Sequence, residues 1–292
     1  MTRKYVFIAD FFSDEVPGGG ELNNDELANL LIERGHYVLK LKSQNVSFPM
    51  LSAIESDGVP ANFIISNFIN LSEEAKRFFY GAPMASMRPR YVIYEHDHKY
   101  LQNRNPALYD NYIAPKSHIV NRPFYEGAKA IICQSEFHAK IVKANLGLDN
   151  IINIGGNLWS EAVLEVCTIL ADRDKHPMAS IMGSDIEHKN THEAIAYCKY
   201  HGNDYRVIKP CPHIEFLDKL GSNMQLVFLP KTPETLSRIV VEARMMGMAI
   251  ATNGNVGACG EPWFKLRGKE LIEEVRTWRQ TIPDRVEEIF NG

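Results

Sequence analysis

Two carboxylates, Glu234 and Glu242, stand with seven residues between them in Lys231-Thr-Pro-Glu234-Thr-Leu-Ser237-Arg-Ile-Val-Val-Glu242-Ala-Arg-Met-Met-Gly247. They follow an apolar run closed by Pro230, and residues 237–246 carry apolar side chains at helical spacing. A helix turns about 100° per residue, so the loop-side Glu234 and the helical Glu242 fall roughly two turns apart, toward one end of a sheet. A carboxylate accepts two hydroxyl hydrogen bonds at once. Between the two acids Thr235, Leu236 and Ser237, followed by Arg238, supply a helix start whose free N–H groups suit a phosphate. The bland alternative is a helix with one acid at its start and another on its face.

Four further segments bear groups able to do chemistry. In Val16-Pro-Gly-Gly19-Gly20-Glu21, after the first apolar run, consecutive glycines either let the backbone approach a ligand or serve as a flexible connection. The pattern is not G-x-G-x-x-G, and no acid closes the second strand, so a dinucleotide fingerprint is poorly supported. Tyr91-Val-Ile-Tyr-Glu95-His96-Asp97-His98 ends another run, and strand alternation would put His96 and His98 on one face. Two such imidazoles could pair on a metal, but no third and fourth ligands stand at a supporting spacing, and no metal is expected. Ser135, ahead of a helical segment, reads as a helix cap. In Ile181-Met-Gly183-Ser184-Asp-Ile-Glu-His-Lys189-Asn190, Lys189 follows Gly183 by six residues.

The elements that must position these groups are short apolar runs at residues 5–9, 37–41, 63–65, 91–94, 130–133, 151–154, 179–182, 205–208, 226–229 and 249–251. Few alternate with polar residues, as expected of strands covered on both faces. Between them, residues 24–34, 73–80, 136–146, 191–200 and 237–246 have helical spacing, which argues for parallel sheets flanked by helices. The rhythm pauses at Gly155-Gly-Asn-Leu-Trp-Ser160, with six runs before it and four after. The expected domains are therefore 1–157 and 158–265, with 266–292 a charged, helical tail broken by Pro283. The 292 residues are 45% hydrophobic and 23% charged with a net charge of −4, which excludes a global basic field for nucleic acid or anionic membrane. No run is long enough to span a bilayer, and five scattered cysteines without a C-x-x-C pair fit buried thiols in a reducing cytoplasm.

The spacing of Glu234 and Glu242 resembles the E-x7-E signature of retaining, nucleotide-sugar-dependent glycosyltransferases of the GT-B fold (the glycosyltransferase family 4-like, or group 1, enzymes). The likeness continues in Gly19-Gly20-Glu21, in Leu31-Ile-Glu-Arg-Gly35-His36-Tyr-Val38, in His96-Asp97, and in Gly183 with Lys189; it runs discontinuously from about residue 18 to 260. It implies an α/β protein of two Rossmann-like domains facing each other across a cleft. The N-terminal domain would lie on the acceptor side, the C-terminal one would bind a UDP-, GDP- or ADP-linked sugar, and the tail would pack back on the first domain. It implies transfer of the sugar to an acceptor hydroxyl with retained anomeric configuration, by a front-face route needing neither metal nor protein nucleophile. His96 would stand against the donor sugar, giving positioning and charge relief. Glu234 would take the sugar hydroxyls, Glu242 the ribose hydroxyls, and Lys189 the departing diphosphate, with Gly19, Gly20, Gly183, Ser184, Thr235, Leu236, Ser237 and Arg238 around the nucleotide.

Two departures stand out. Ser184 occupies the place of an arginine and Asn190 that of a glycine, so Arg238, Lys231 or Lys209 would have to add charge. Segments 45–60, 83–90 and 104–115 would shape the acceptor pocket; Arg88, Arg90, Lys99 and Arg104 could meet a phosphorylated or nucleic-acid acceptor there, but an ordinary charged surface is the default reading. The acceptor itself is open: glycan, lipid, protein or modified nucleobase. An epimerase acting on the same donor, or an idle sugar-nucleotide-binding protein, are the alternatives; an NAD-dependent oxidoreductase ranks last for want of its fingerprint.

Overall fold

The computed structural model describes residues 2–82, 84 and 88–292. The chain forms two compact units, one of Met1–Gln134, Ala139–Leu158 and Arg279–Gly292, the other of Ser135–His138 and Trp159–Trp278.

The first unit is built on β1 (Lys4–Ala9), β2 (Tyr37–Lys42), β3 (Ala61–Ile65), β4 (Arg90–Tyr94), β5 (Ala130–Cys133) and β6 (Ile151–Asn153). They pair in the order β2-β1-β3-β4-β5-β6, every pair parallel. Strands β3 and β5 are buried at every residue, because a parallel sheet roofed by helices hides both of its faces. Only the edge strand β2 shows solvent at Tyr37 and Leu39. The helices are α1 (Gly19–Glu33), α2 (Phe48–Glu55), α3 (Glu73–Tyr80), α4 (Arg122–Gly127) and α5 (Glu136–Leu146). Phe63, Phe79, Tyr91 and Phe124 pack as a ring cluster in the core. Because β1 lies between β2 and β3, the winding reverses there, and open α/β sheets bind ligands outside the carboxyl ends of the strands at such a reversal.

The second unit repeats this plan with β7 (His176–Met182), β8 (Tyr205–Ile208), β9 (Asn223–Phe228) and β10 (Ala249–Thr252), all parallel in the order β10-β9-β7-β8. Its reversal falls between β7 and β9. The helices are α6 (Glu161–Ala171), α7 (Thr191–Tyr200), α8 (His213–Gly221) and α9 (Arg238–Met245). Trp159, Trp263 and Trp278, the only tryptophans of the chain, cluster in this unit, with Trp278 6.2 Å from Trp159 and 4.9 Å from Trp263 between ring centroids.

Each of the ten apolar runs falls on a strand, as an α/β fold requires, with 151–154 and 226–229 overrunning theirs by one residue, and three of the five expected helices (α3, α5 and α7) keep their bounds. Two expectations need correction. The glycine run is no loop: Gly18 caps α1, and Gly19 and Gly20 are its first helical residues. The tail is not broken at Pro283, which sits inside one continuous helix, α10 (Lys269–Asn291). Proline forfeits one helical hydrogen bond. Burial of Ile282, Val286 and Phe290, with Arg34 gripping Asp284 and Glu287 at 2.7 and 2.9 Å, outweighs that loss.

Candidate functional site

The loops leaving β7 and β9, on either side of the second unit's reversal, carry the two charged groups singled out first. Lys189 ends a short 3-10 turn after β7, and its Nζ lies 2.7 Å from Glu234 Oε1. The loops are stitched together around this pair. Lys231 N–H donates to the His188 carbonyl at 2.9 Å, and Asn190 Nδ2 to the Leu229 carbonyl at 2.8 Å. Asn190 itself has φ 58°, the left-handed region that favours glycine and tolerates asparagine best among the rest. The glycine-to-asparagine departure therefore preserves the backbone turn. Gly183 is needed as it stands, because an added Cβ would lie 3.0 Å from the Ile208 carbonyl oxygen of β8.

Ser184 supplies turn geometry rather than charge: its N–H donates to Thr191 Oγ1 at 3.1 Å, and its Oγ accepts from Ile186 N–H at 3.2 Å. Of the residues nominated to replace the missing arginine, Lys231 pairs with the exposed Glu187 at 2.9 Å, and Arg238 stacks 4.2 Å over the Trp159 ring. Lys209 is exposed beyond β8.

The segment between the two acids is held by contacts that sequence reading missed. Glu234 forms an isolated parallel bridge with Val256, donating its N–H to Asn255 and accepting from Gly257 N–H at 3.0 Å. Ser135 Oγ accepts from His138 N–H, the helix cap expected of it, and also donates to the Thr235 carbonyl at 2.5 Å. Ala258 N–H bonds the Leu236 carbonyl at 3.0 Å, and Leu236 is fully buried. Ser237, the N-cap of α9, has φ 76° with no side-chain cap. Its Oγ is buried with no hydrogen-bond partner among the described residues. A strained, unbonded serine at an eight-residue helix start is where an anion would find donors.

Glu242 has partners of its own. It is 3% exposed, and its Oε1 receives Trp159 Nε1 at 2.9 Å and His213 Nε2 at 3.1 Å, with Arg238 Nε at 3.8 Å. Burial alone would push this carboxyl up; the His213 hydrogen bond and charge, the Arg238 charge and the Trp159 N–H together outweigh it and hold the group below the usual carboxylate range. A depressed folded value stabilises the fold above the unfolded value of about 4.3, and that stability is lost as pH falls through the folded value. Glu242→Gln is therefore expected to flatten the acid limb of a urea-midpoint profile below about pH 4.3. An acid limb matching that of the unmodified protein would contradict the assignment. His213 had one legible signal: the strand-ending Lys209-Pro-Cys-Pro-His213 places it at the same sheet end as the other candidates.

In the first unit His96 lies just past β4. Its Nε2 is 2.8 Å from Asn24 Oδ1, its Nδ1 meets Gln134 Nε2, and its ring stacks on Tyr94 at 4.6 Å. Gly20 packs on that ring, since an added Cβ would come within 3.1 Å of His96 Cγ. Gly19 sits in the same first turn, but Glu21 folds its carboxylate back onto Gly18 and bonds Asn67, and burial pushes the Glu21 carboxyl up. The start of α1 is thus already met by an acid. His98 is buried, with Nδ1 2.9 Å from Tyr100 OH. Among the described residues no group of three or more His, Cys, Asp or Glu is placed to hold a metal ion.

Of the cations assigned to the acceptor side, Lys99 is buried on Glu95 at 3.0 Å rather than displayed, and Arg104 pairs with Asp97 at 3.4 Å. Segment 83–90 lies partly outside the described residues.

The sequence matches no protein-family model and no curated protein. Solved structures are similar over nearly the whole chain. The catalytic domain of Starch Synthase IV from Arabidopsis thaliana, bound to ADP and acarbose, superposes with a TM-score of 0.59 at 11% identity, covering 100% of this chain and 99% of that one. Anabaena Alr3699/HepE in complex with UDP and glucose gives 0.55 at 14% identity, covering 98% and 94%. An alpha-glucosyltransferase in complex with UDP-glucose and DNA containing an abasic site gives 0.51 at 10%, covering 98% and 93%. The chain has the GT-B fold. At these identities the likeness is one of fold, and GT-B here means two parallel α/β units, each with a winding reversal, not a shared set of site residues.

Proposed function

We propose that this protein transfers a sugar from a nucleotide-sugar donor to an acceptor hydroxyl with retention of anomeric configuration. The observation that carries the reading is the Lys189–Glu234 pair at the reversal of the second sheet, in the same loop as the strained start of α9. Structural neighbours solved with UDP, UDP-glucose or ADP support a nucleotide sugar as the ligand class. The acceptor hydroxyl belongs to a glycan, lipid, protein or modified nucleobase.

On donor binding, Lys189 turns from Glu234 to the diphosphate, and Glu234 is released to accept the sugar hydroxyls. The N–H groups and Oγ of Ser237 meet the phosphate at the α9 start. Among the described residues Trp159, His213 and Arg238 meet Glu242 at Oε1, and Oε2 takes the ribose hydroxyl. As the glycosidic bond breaks, negative charge grows on the diphosphate, and fixed cationic and N–H groups stabilise it without reorganising. The route needs no metal and no cofactor beyond the donor. The scattered spacing of the five cysteines, without a C-x-x-C pair, supports a cytoplasmic setting; among the described residues no helix is long and apolar enough to cross a membrane.

Incubation with a panel of UDP-, GDP- and ADP-sugars tests the reading. Release of free nucleoside diphosphate from one donor, and an unchanged anomer in the product by NMR, are expected. An isomerised sugar would instead indicate an epimerase. Binding without turnover would mean that serine at position 184 has left an idle binding protein.

A further inference from the structure

The hydrogen bonds around His96 have a direction. Asn24 Nδ2 donates to Ser66 Oγ at 2.8 Å, which leaves Asn24 Oδ1 as the atom facing His96 Nε2. An amide oxygen can only accept, so Nε2 must carry a proton. On the other side the Gln134 amide nitrogen meets Nδ1 and can only donate, so Nδ1 must offer its lone pair. One polarity runs from Gln134 through the imidazole to Asn24 and Ser66. Asn24 is 0% and Gln134 3% exposed, so water cannot easily substitute for either amide. Tyr94 on one side and the Gly20 backbone fix the plane of the ring.

We propose that Asn24 and Gln134 are positioning residues that hold His96 as a neutral, Nε2-protonated imidazole. An imidazolium would set N–H against N–H at Gln134, and a buried donor without an acceptor is costly. The inference rests on the reading of His96 as a donor-side group and changes its part in it. With both nitrogens spent inside the first unit, His96 acts neither as a general base nor as a source of positive charge. It is a rigid neutral imidazole, and within the second unit relief of the diphosphate charge falls to Lys189 and the α9 start. Helix α1 serves this ring twice, by the close approach of Gly20 and by the amide of Asn24.

The test uses the full chain labelled with ¹⁵N-histidine, with ring ¹H–¹⁵N correlations recorded at pH 7 and the His96 signal assigned by its loss in His96→Gln. The expected wild-type pattern is neutral with the proton on Nε2; a proton on Nδ1 would overturn the proposal. In Gln134→Glu each ring nitrogen faces an acceptor, and His96 is expected to become an imidazolium; an unchanged pattern would overturn the lock. Gln134→Leu, which removes the donor without adding charge, should keep the proton on Nε2, which Asn24 still requires, and its thermal melt shows whether the fold persists; a proton moved to Nδ1 in this variant would overturn the part given to Asn24. In the donor-hydrolysis assay Gln134→Glu should lower kcat by about tenfold with little change in KM. A changed tautomer with unaltered kcat would refute the positioning role. Should no donor be turned over even by the unmodified protein, the transferase reading fails while the NMR result still decides the lock.

Discussion

Lys189→Ala is expected to slow donor hydrolysis by about 10²–10³-fold, the loss seen when one fixed group is taken from a developing anion, roughly 2.7–4 kcal/mol. The effect should be large because the neighbouring cations are otherwise engaged: Lys231 sits with Glu187, and Arg238 lies over Trp159 beside Glu242. Ser184, where an arginine would share the load, is a turn residue. KM for the donor should move by only a few-fold, since charge that appears in the transition state is what Lys189 meets. Lys189→Arg should recover part of the rate by restoring charge 2.7 Å from where Glu234 now balances it. Steady-state release of nucleoside diphosphate measures both variants. A kcat equal to that of the unmodified protein in Lys189→Ala would remove the residue from the reaction and with it the central claim about this loop.

The second large effect is expected from a residue with no side chain. A Cβ on Gly257 would lie 2.4 Å from both the Thr235 carbonyl oxygen and Ser135 Oγ. Backbone cannot yield there, because Glu234 N–H is tied to Asn255, Gly257 N–H to Glu234, and Ala258 N–H to Leu236. Gly257→Ala should therefore lose about 1–3 kcal/mol of stability by overpacking, and should displace the segment from Glu234 to Ser237. Donor affinity should fall at least about tenfold, equivalent to 1.4 kcal/mol. Gly260→Ala is the control: nothing lies within 4 Å of its added Cβ, and it should match the unmodified protein in urea midpoint and donor affinity. Equal behaviour of the two variants would show that the Ser135–Thr235–Gly257 contact does not hold the loop.

Much of the fold is legible in the chain because a doubly covered parallel strand leaves a plain mark, a short apolar run without alternation. The helices that escaped reading have physical reasons. Helix α2 begins Phe48-Pro-Met-Leu with no polar face to show its period, and α8 follows Pro210-Cys-Pro212, which reads as loop. The first turn of α1 is glycine, a poor helix former. Gly20 is a glycine there because the His96 ring closes on it and leaves no room for a side chain. Pro283 signals a break that the buried face of α10 overrides.

The amino-acid order by itself determined the two α/β sets of elements and the intervals from Glu234 to Glu242 and from Gly183 to Lys189. It could not pair them, since hydrogen bonds and charges act over a few ångströms while the partners are remote in the chain. Lys189 meets Glu234 across 45 positions because β7 and β9 are neighbours in the sheet. Trp159 and His213 take Glu242, and Asn24 and Gln134 take His96, from distances in sequence that carry no periodic trace. Tertiary structure alone decided that one acid of the spaced pair faces a lysine at a strand reversal while the other is sunk among indole, imidazole and guanidinium. Strand order, unlike strand identity, depends on which surfaces cover one another once the chain has folded.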